Sequence, residues 1–165
     1  MTHPVWQLPI LEGKSALVLT PCPGTQNVSL LDSLTQLKES GVQAIVTALQ
    51  VDEMNRAGVL QLEEQTKALG MDWFHLPIED NCAPEGDFAD QWKAVSPILH
   101  KIITQGGKVT LHCMGGSGRT GMLAAHLLLE LGWDIETIMS EIKALRPKAF
   151  SKQAQIDYLN KIAEL

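Results

Sequence analysis

Residues 111–121 read LHCMGGSGRTG, a short apolar strand that runs into a glycine-rich loop and then into a helix. Cys113 stands where the loop begins and Arg119 where it ends, and three of the five residues between them are glycine. Glycine allows consecutive backbone N–H groups to turn inward and form a concave site for an anion. A dianionic phosphate group fits such a site.

The helix predicted over about 120–131 starts at this loop, and its free N–H groups and dipole also favour negative charge. A helix N-terminus and a fixed guanidinium both favour the ionised form of a cysteine, and the thiolate is the nucleophilic form. Arg119 stays protonated, and its planar fork suits two phosphate oxygens at once. The loop therefore predicts a cradle that binds phosphate and attacks it, although a buried structural role for Cys113 is the alternative.

The segment HCMGGSGRT, residues 112–120, resembles the signature of cysteine-dependent protein phosphatases: His-Cys, five residues, Arg, then Ser or Thr. The chain is similar to the small dual-specificity branch. Within that branch, LPIEDNCAP at 76–84 and LRP at 145–147, before a Gln-rich helix, resemble the kinase-associated phosphatase type. The resemblance runs from about residue 41 to the C-terminus. It implies a protein tyrosine phosphatase-like α/β fold of dual-specificity size.

Composition sets limits on partners and compartment. The 165 residues fit one domain, 1–165, and a net charge of −6 argues against nucleic acid or an anionic membrane as the main partner. Three cysteines are a sparse, odd set that suits a reducing compartment, and residues 1–13 lack the features of a signal peptide. We expect a cytoplasmic monomer. No Cys or His pair has zinc-ligand spacing, so we expect no metal and no cofactor.

Hydrophobic periodicity predicts the elements. We expect an extended lead-in over 1–13, strands at 15–20, 42–49, 71–78 and 109–112, and helices at 30–39, 51–69, 88–105, 120–131, 135–145 and 152–164. Gly58 is expected to split the second helix, Asp87 to cap the third and Pro97 to kink it, and Ser151 to cap the last. Alternating strands and helices predict a central, mainly parallel sheet flanked by helices, with the loop at a strand's carboxyl end.

The resemblance also implies an acid that protonates the leaving oxygen, from the loop after the strand that precedes the long helix. In this sequence that position is Asp80, and Glu79, Glu85 and Asp87 are its competitors. The alternative is that all four are solvated loop charges.

The remaining roles follow from the same resemblance. Thr120 matches a hydroxyl that bonds the cysteine sulfur, and the alternative is an ordinary threonine in the first turn of the helix. His112 matches a histidine that braces the loop.

A cation at the start of a helix opposes the dipole, so Arg119 needs an anionic partner, and phosphate is the simplest one. The pocket is expected to be lined, mainly through backbone N–H groups, by Met114, Gly115, Gly116, Ser117 and Gly118.

Three features bear on the substrate. The loop has no lysine, whereas the loops of the phosphoinositide phosphatases of this superfamily have additional basic residues that hold the extra phosphates. This difference argues against a lipid substrate. Tyrosine-specific members of the superfamily have a tyrosine that stacks in the pocket wall and a glutamine that positions water. Here the one tyrosine is Tyr158, near the C-terminus, and by spacing from Gln155 the glutamine position falls at Ser151. Strict specificity for phosphotyrosine is therefore unsupported. We expect a phosphoprotein substrate carrying phosphotyrosine and, as an open alternative, phosphoserine or phosphothreonine. The kinase-associated type suggests a kinase as a partner.

Other functions stay open at this point. A non-catalytic phosphoprotein-binding module is one, although the loop has the nucleophile, the arginine and the hydroxyl of an enzyme. A sulfur-transfer or arsenate-reducing enzyme is another, because it also uses a loop cysteine. Cys82 lies two residues after Asp80, so it is either an uninvolved loop cysteine or a disulfide partner of Cys113 under oxidation.

Overall fold

The computed structural model describes residues 1–165 and contains five strands and seven helices. The strands are β1 (Trp6–Ile10), β2 (Ser15–Thr20), β3 (Val42–Thr47), β4 (Asp72–His75) and β5 (Lys108–His112). The helices are α1 (Leu30–Glu39), α2 (Val51–Arg56), α3 (Leu62–Ala68), α4 (Phe88–Thr104), α5 (Gly118–Glu130), α6 (Ile135–Leu145) and α7 (Gln153–Ala163).

All five strands form one sheet in the order β1-β2-β5-β3-β4. β2, β5, β3 and β4 are parallel, and β1 pairs antiparallel with β2. Every residue of β2 and nearly all of β5 is buried, as expected for strands covered on both faces. A single core of 39 buried residues joins the sheet to the helices, so the predicted α/β fold with a mainly parallel sheet is confirmed.

The N-terminal residues extend the sheet, which the expected lead-in did not include. Trp6, Leu8 and Ile10 alternate with exposed residues, and Leu8 and Ile10 enter the core. Pro9 is tolerated because β1 is an edge strand and proline has no N–H to give to a ladder. His3 is also buried, with Nε2 2.7 Å from Thr20 Oγ1.

The helix boundaries follow local signals closely. α1 and α6 occupy the predicted residues, and Gly58, at φ +72°, divides the expected 51–69 segment into α2 and α3. α4 runs through Pro97 as one helix, since its apolar face, including Trp92 and Leu99, is buried in the core.

Several boundaries were predicted wrongly. β3 ends at Thr47 rather than at residue 49, and α5 begins at Gly118 rather than at residue 120. The capping residue of α7 is Lys152, not Ser151, and its side chain makes no capping hydrogen bond. β4 ends at His75 rather than at residue 78, although the N–H groups of Leu76 and Ile78 still bond the carbonyls of Thr47 and Ala48. The chain beyond β4 therefore stays beside β3 as it approaches Asp80.

No helix in the structure combines the length and the apolar character needed to span a lipid bilayer.

Candidate active site

The glycine-rich loop joins the central strand β5 to α5, at the carboxyl end of the sheet. Gly116 adopts φ +78°, and a Cβ placed on it would lie 2.6 Å from the backbone of Thr20 and Pro21. Only glycine allows the loop to approach the end of β2 so closely. The backbone of the loop is thus fixed by the strand beside it.

The sulfur of Cys113 lies inside this loop and is almost fully buried. It accepts hydrogen bonds from the backbone N–H of Gly116, at 3.3 Å, and from the hydroxyl of Thr120, at 3.2 Å. Hydrogen bonds to an ionised group are stronger than those to a neutral one. Both contacts therefore favour a negative charge on the sulfur.

Arg119 is 2% exposed, and its partner in the structure is a carboxylate that the sequence did not reveal. Nη1 and Nη2 bond Glu53 Oε2 and Oε1 at 2.8 and 3.0 Å, and Nη1 also bonds the carbonyl of Ile78 at 3.1 Å. The anionic partner that the sequence predicts for this cation is present as Glu53 of α2, whereas phosphate was the simplest candidate. The Nε–H of Arg119 is buried and has no partner.

Glu53 reaches Arg119 because the start of α2 holds it. Its carboxylate also accepts the backbone N–H of Gln50 at 2.9 Å, which forms a capping box at this helix end. Burial alone would raise the pKa of Glu53, but the hydrogen bonds and charge of Arg119 lower it below its ordinary value. Burial would likewise lower the pKa of Arg119, and the bonds to Glu53 raise it, so both groups stay charged.

Asp80 is the one candidate acid that lines the cleft above the loop, whereas Glu79, Glu85 and Asp87 do not. Its side chain is 67% exposed, and Oδ1 lies 3.6 Å from Nη2 of Arg119. The structure therefore brings Asp80, Arg119 and Cys113 to one cleft.

A chain of hydrogen bonds supports the loop from the sheet side. His112 Nδ1 lies 3.0 Å from the carbonyl of Cys113, and its Nε2 lies 2.7 Å from Thr47 Oγ1. The indole N–H of Trp73 donates to the same hydroxyl at 2.9 Å. Burial lowers the pKa of His112 to about 4, so the ring is neutral near pH 7. A neutral ring with its proton on Nδ1 satisfies all three bonds.

Arg146, between α6 and α7, holds the loop from the outer side. Its Nε donates to the carbonyl of Gly116 at 3.1 Å and its Nη2 to that of Gly115 at 2.8 Å. The guanidinium lies over the Trp6 ring, 3.8 Å from the ring centre. Because the carbonyls of Gly115 and Gly116 are bonded on the outside, the loop amides are free to face inward.

The cleft has a volume of about 350 Å³. Besides Asp80 and the loop, its walls come from the segment that leads into α7 and from Gln155. Gln155 is 1% exposed, its Nε2 lies 3.4 Å from the carbonyl of Cys82, and its Oε1 has no partner. Ser151, the position inferred by spacing, also lines the cleft. The lining residues are Asp80, Asn81, Cys113, Met114, Gly115, Ser117, Gly118, Arg119, Arg146, Lys148, Ser151, Lys152 and Gln155.

Sequence reasoning missed Glu53, Arg146, Gln155, Lys148 and Lys152 as neighbours of the loop. Glu53, Arg146 and Gln155 had a local signal: the capping box, the LRP turn and the Gln-rich helix. None of these signals names the distant partner.

All three cysteines are free thiols. Burial, followed by the charges of Cys113 and Glu53, raises the pKa of Cys22 to about 12. The backbone N–H of Cys22 donates to the carbonyl of Met114 at 2.9 Å, so Cys22 adjoins the loop. Cys82 is half-buried in the loop that carries Asp80.

The chain is similar to known proteins along most of its length. A family model described as "Polymorphic toxin system, DSP-PTPase phosphatase" matches residues 23–132. Protein tyrosine phosphatase type IVA 3 from Bos taurus is 28% identical over 136 residues, 82% of this chain and 72% of that protein. Cyclin-dependent kinase inhibitor 3 from Rattus norvegicus is 31% identical over 96 residues, 58% of this chain and 44% of that protein.

Solved structures share the fold. A crystal structure of kinase associated phosphatase superimposes with a TM-score of 0.87 at 22% identity, covering 99% of this chain and 96% of that one. The active form of Tk-PTP superimposes with a TM-score of 0.69 at 24% identity, covering 93% of each chain.

Proposed function

The chain belongs to the family of DSP-PTPase phosphatases, and from that membership we propose that it hydrolyses phosphate esters on proteins with Cys113 as the nucleophile. The resemblance of residues 112–120 to cysteine-dependent dual-specificity phosphatases is confirmed. One observation carries the residue assignment: the buried, unpartnered Nε–H of Arg119 lies at the same cleft as a sulfur that already accepts two hydrogen bonds. A buried donor needs an acceptor, and a phosphate oxygen supplies it.

In the first step the thiolate of Cys113 attacks phosphorus. The S–P bond forms while the bond from phosphorus to the ester oxygen breaks, and Asp80 gives its proton to the departing oxygen. Arg119 and the inward-facing amides of the loop hold the remaining phosphate oxygens through the transition state. The exposed position of Asp80 at the cleft, 3.6 Å from Nη2 of Arg119, supports this role, because an acid there can meet a leaving group that comes from solvent.

In the second step water attacks the cysteinyl-phosphate. Asp80, now a carboxylate, takes a proton from the water, the S–P bond breaks, and inorganic phosphate leaves. The hydroxyl of Thr120, 3.2 Å from the sulfur, stabilises the departing thiolate. Gln155 lines the cleft and its buried Oε1 has no partner, which supports Gln155 rather than Ser151 as the acceptor that orients the water.

The substrate class is a phosphoprotein with phosphotyrosine, phosphoserine or phosphothreonine. Relatives named as tyrosine phosphatases support the first, and the name cyclin-dependent kinase inhibitor 3 supports a kinase as partner or substrate. We place the protein in the cytoplasm as a monomer, and its three free thiols suit that reducing compartment. The proposed steps need no metal.

The test is hydrolysis of p-nitrophenyl phosphate and of phosphopeptides by purified protein. Cys113→Ser should abolish turnover, Cys82→Ser should retain it, and acid quenching should trap phosphate on Cys113, which mass spectrometry identifies. Activity should survive EDTA and disappear with orthovanadate. Phosphopeptide binding without turnover would instead show a binding module, and turnover of thiosulfate or arsenate alone would show a different enzyme.

A further inference from the structure

Trp73, Thr47 and His112 form a line of hydrogen bonds across three neighbouring strands. Trp73 lies on the edge strand β4, Thr47 at the end of β3, and His112 at the end of β5, the strand that leads into the Cys113 loop. Thr47 pairs with His112, and Trp73 pairs with Ile45, two residues before Thr47 and on the same face of the sheet. The line therefore runs from the edge of the sheet to the loop.

The indole nitrogen of Trp73 sets the direction of every bond in this line. It can only donate, so Thr47 Oγ1 accepts its proton across 2.9 Å. The Thr47 hydroxyl is fully buried, and its one other partner is Nε2 of His112, at 2.7 Å. The hydroxyl therefore gives its own proton to Nε2. The ring proton is then on Nδ1, which donates to the carbonyl of Cys113 at 3.0 Å.

The opposite order of protons would leave buried groups unsatisfied. A proton on Nε2 of His112 would give Thr47 Oγ1 two donors and leave its own hydrogen without an acceptor. It would also turn the bare lone pair of Nδ1 towards the carbonyl oxygen of Cys113. A buried donor without a partner is costly. All three donors therefore point towards the loop, and each bond polarises the next one.

Building on the proposed function, we propose that Trp73 and Thr47 are positioning residues for the reaction, which act through the ring of His112 to fix the peptide of Cys113. With that peptide fixed, the sulfur stays within reach of the two donors whose hydrogen bonds it accepts. The alternative is that Trp73 only packs at the sheet edge, where its ring stacks on that of His75 with 5.3 Å between ring centres.

Four substitutions separate these two roles. Trp73→Phe keeps an aromatic ring and removes the N–H group. Thr47→Val keeps the branched shape and removes the hydroxyl, whereas Thr47→Ser keeps the hydroxyl. The matched control is Trp92→Phe, which removes an indole hydrogen bond of similar length, 3.1 Å to Glu130, between α4 and α5.

The first measurement is kcat/KM for p-nitrophenyl phosphate. Thr47→Val should lower it about tenfold, because the buried Nε2 of His112 loses its donor. Trp73→Phe should lower it about threefold, since the hydroxyl can still donate to the ring without the indole. The double variant should match Thr47→Val alone, because Trp73 reaches the loop only through Thr47. Thr47→Ser should keep most of the activity, and Trp92→Phe should keep all of it.

Two further measurements follow the line itself. Alkylation of Cys113 by iodoacetamide, followed by mass spectrometry, should slow in the same order as kcat/KM, because the thiolate is the form that reacts. Nitrogen NMR of the histidine rings should show the proton of His112 on Nδ1 in the unaltered protein. The Nε2 resonance should shift in Trp73→Phe and shift further in Thr47→Val, whereas Trp92→Phe should leave it in place.

Three results would overturn the positioning role while leaving the proposed function intact. One is a double variant whose loss equals the product of the two single losses, since Trp73 would then act independently of Thr47. Another is a Trp73→Phe protein that matches Trp92→Phe in kcat/KM and in the Nε2 resonance. The third is a proton on Nε2 of His112 in the unaltered protein. Failure of the unaltered protein on every phosphate ester would overturn the proposed function and this inference with it.

Discussion

The guanidinium of Arg119 meets the carboxylate of Glu53 through two parallel hydrogen bonds, 2.8 Å and 3.0 Å long. The two residues are 66 positions apart in the sequence, and their ion pair fixes the position of the arginine before any phosphate binds. With the bond from Nη1 to the carbonyl of Ile78, it uses three of the five N–H donors of the guanidinium and leaves the Nε–H and one N–H of Nη2 for the ligand. Glu53 therefore acts through Arg119 rather than on the reacting atoms.

Glu53→Ala should lower kcat/KM for p-nitrophenyl phosphate by about 100-fold, because a misplaced binding group costs about that much. It should also destabilise the fold by about 3–5 kcal/mol, since it leaves a buried guanidinium unpaired. Steady-state kinetics and urea unfolding measure the two effects. Glu53→Gln keeps one acceptor oxygen and should lose less of each; an alanine variant with unaltered kinetics would contradict the positioning role.

Asp80→Ala should lower kcat by roughly 10²–10⁴ on a phosphopeptide, the usual cost of losing a general acid. The loss should be smaller on p-nitrophenyl phosphate, whose leaving group needs less protonation. Glu79→Ala, next in sequence but outside the cleft, is the control and should keep its activity. Equal losses on both substrates would assign Asp80 to binding instead.

Gly116→Ala should destabilise the fold by about 1–3 kcal/mol or more, because the position requires positive φ and the new methyl group would overlap backbone. Urea unfolding measures the loss. The matched change is Gly115→Ala, where a Cβ meets nothing within 4 Å and φ is not positive. Similar losses in both variants would show that the contact with β2 is unimportant.

Acid should weaken the fold through His126. Burial lowers its pKa to about 4, although the charge of Glu130 opposes the shift. Below pH 6.5 the His126 ring binds a proton in the unfolded chain but stays neutral in the folded chain. The free energy of unfolding therefore falls as pH falls from 6.5 towards 4. The ring packs against Phe88 and Trp92, which a phenylalanine can also do.

Between pH 7.5 and pH 5, the free energy of unfolding of His126→Phe should therefore fall by about 2 kcal/mol less than that of the unaltered protein. Urea unfolding of both proteins at the two pH values measures this difference. The difference between the two proteins at pH 7.5 gives the cost of losing the hydrogen bond to Tyr158, and it is subtracted from the difference at pH 5. Parallel pH profiles for the two proteins would show that His126 titrates normally.

Features set by neighbouring residues were predictable from the sequence. The bounds of α1 and α6 follow from apolar spacing and their caps Ser29 and Asp134, whose side chains bond the helix N–H groups as such residues usually do. The loop from Cys113 to Arg119 was also recognisable, because its cysteine, glycines and arginine stand close together in the sequence, although the end of β2 and Arg146 fix its backbone.

Features set by distant residues were not predictable. β1 contains Pro9 and gains its stability from pairing with β2, so its five residues alone read only as extended chain. Glu53 looks like a capping residue of α2 until the fold places it against Arg119. The cap of α7 was missed by one residue, because neither Ser151 nor Lys152 gives its side chain to the helix.

The stacking of Trp6 on Arg146 gives the protein a built-in optical probe. Trp6 is the one tryptophan that stacks on an arginine, and that arginine lines the cleft above Cys113. An anion that draws the guanidinium away from the indole changes the surroundings of this fluorophore. The emission of Trp6 can therefore report, without any attached dye, when an anion binds beside Arg146 in the cleft.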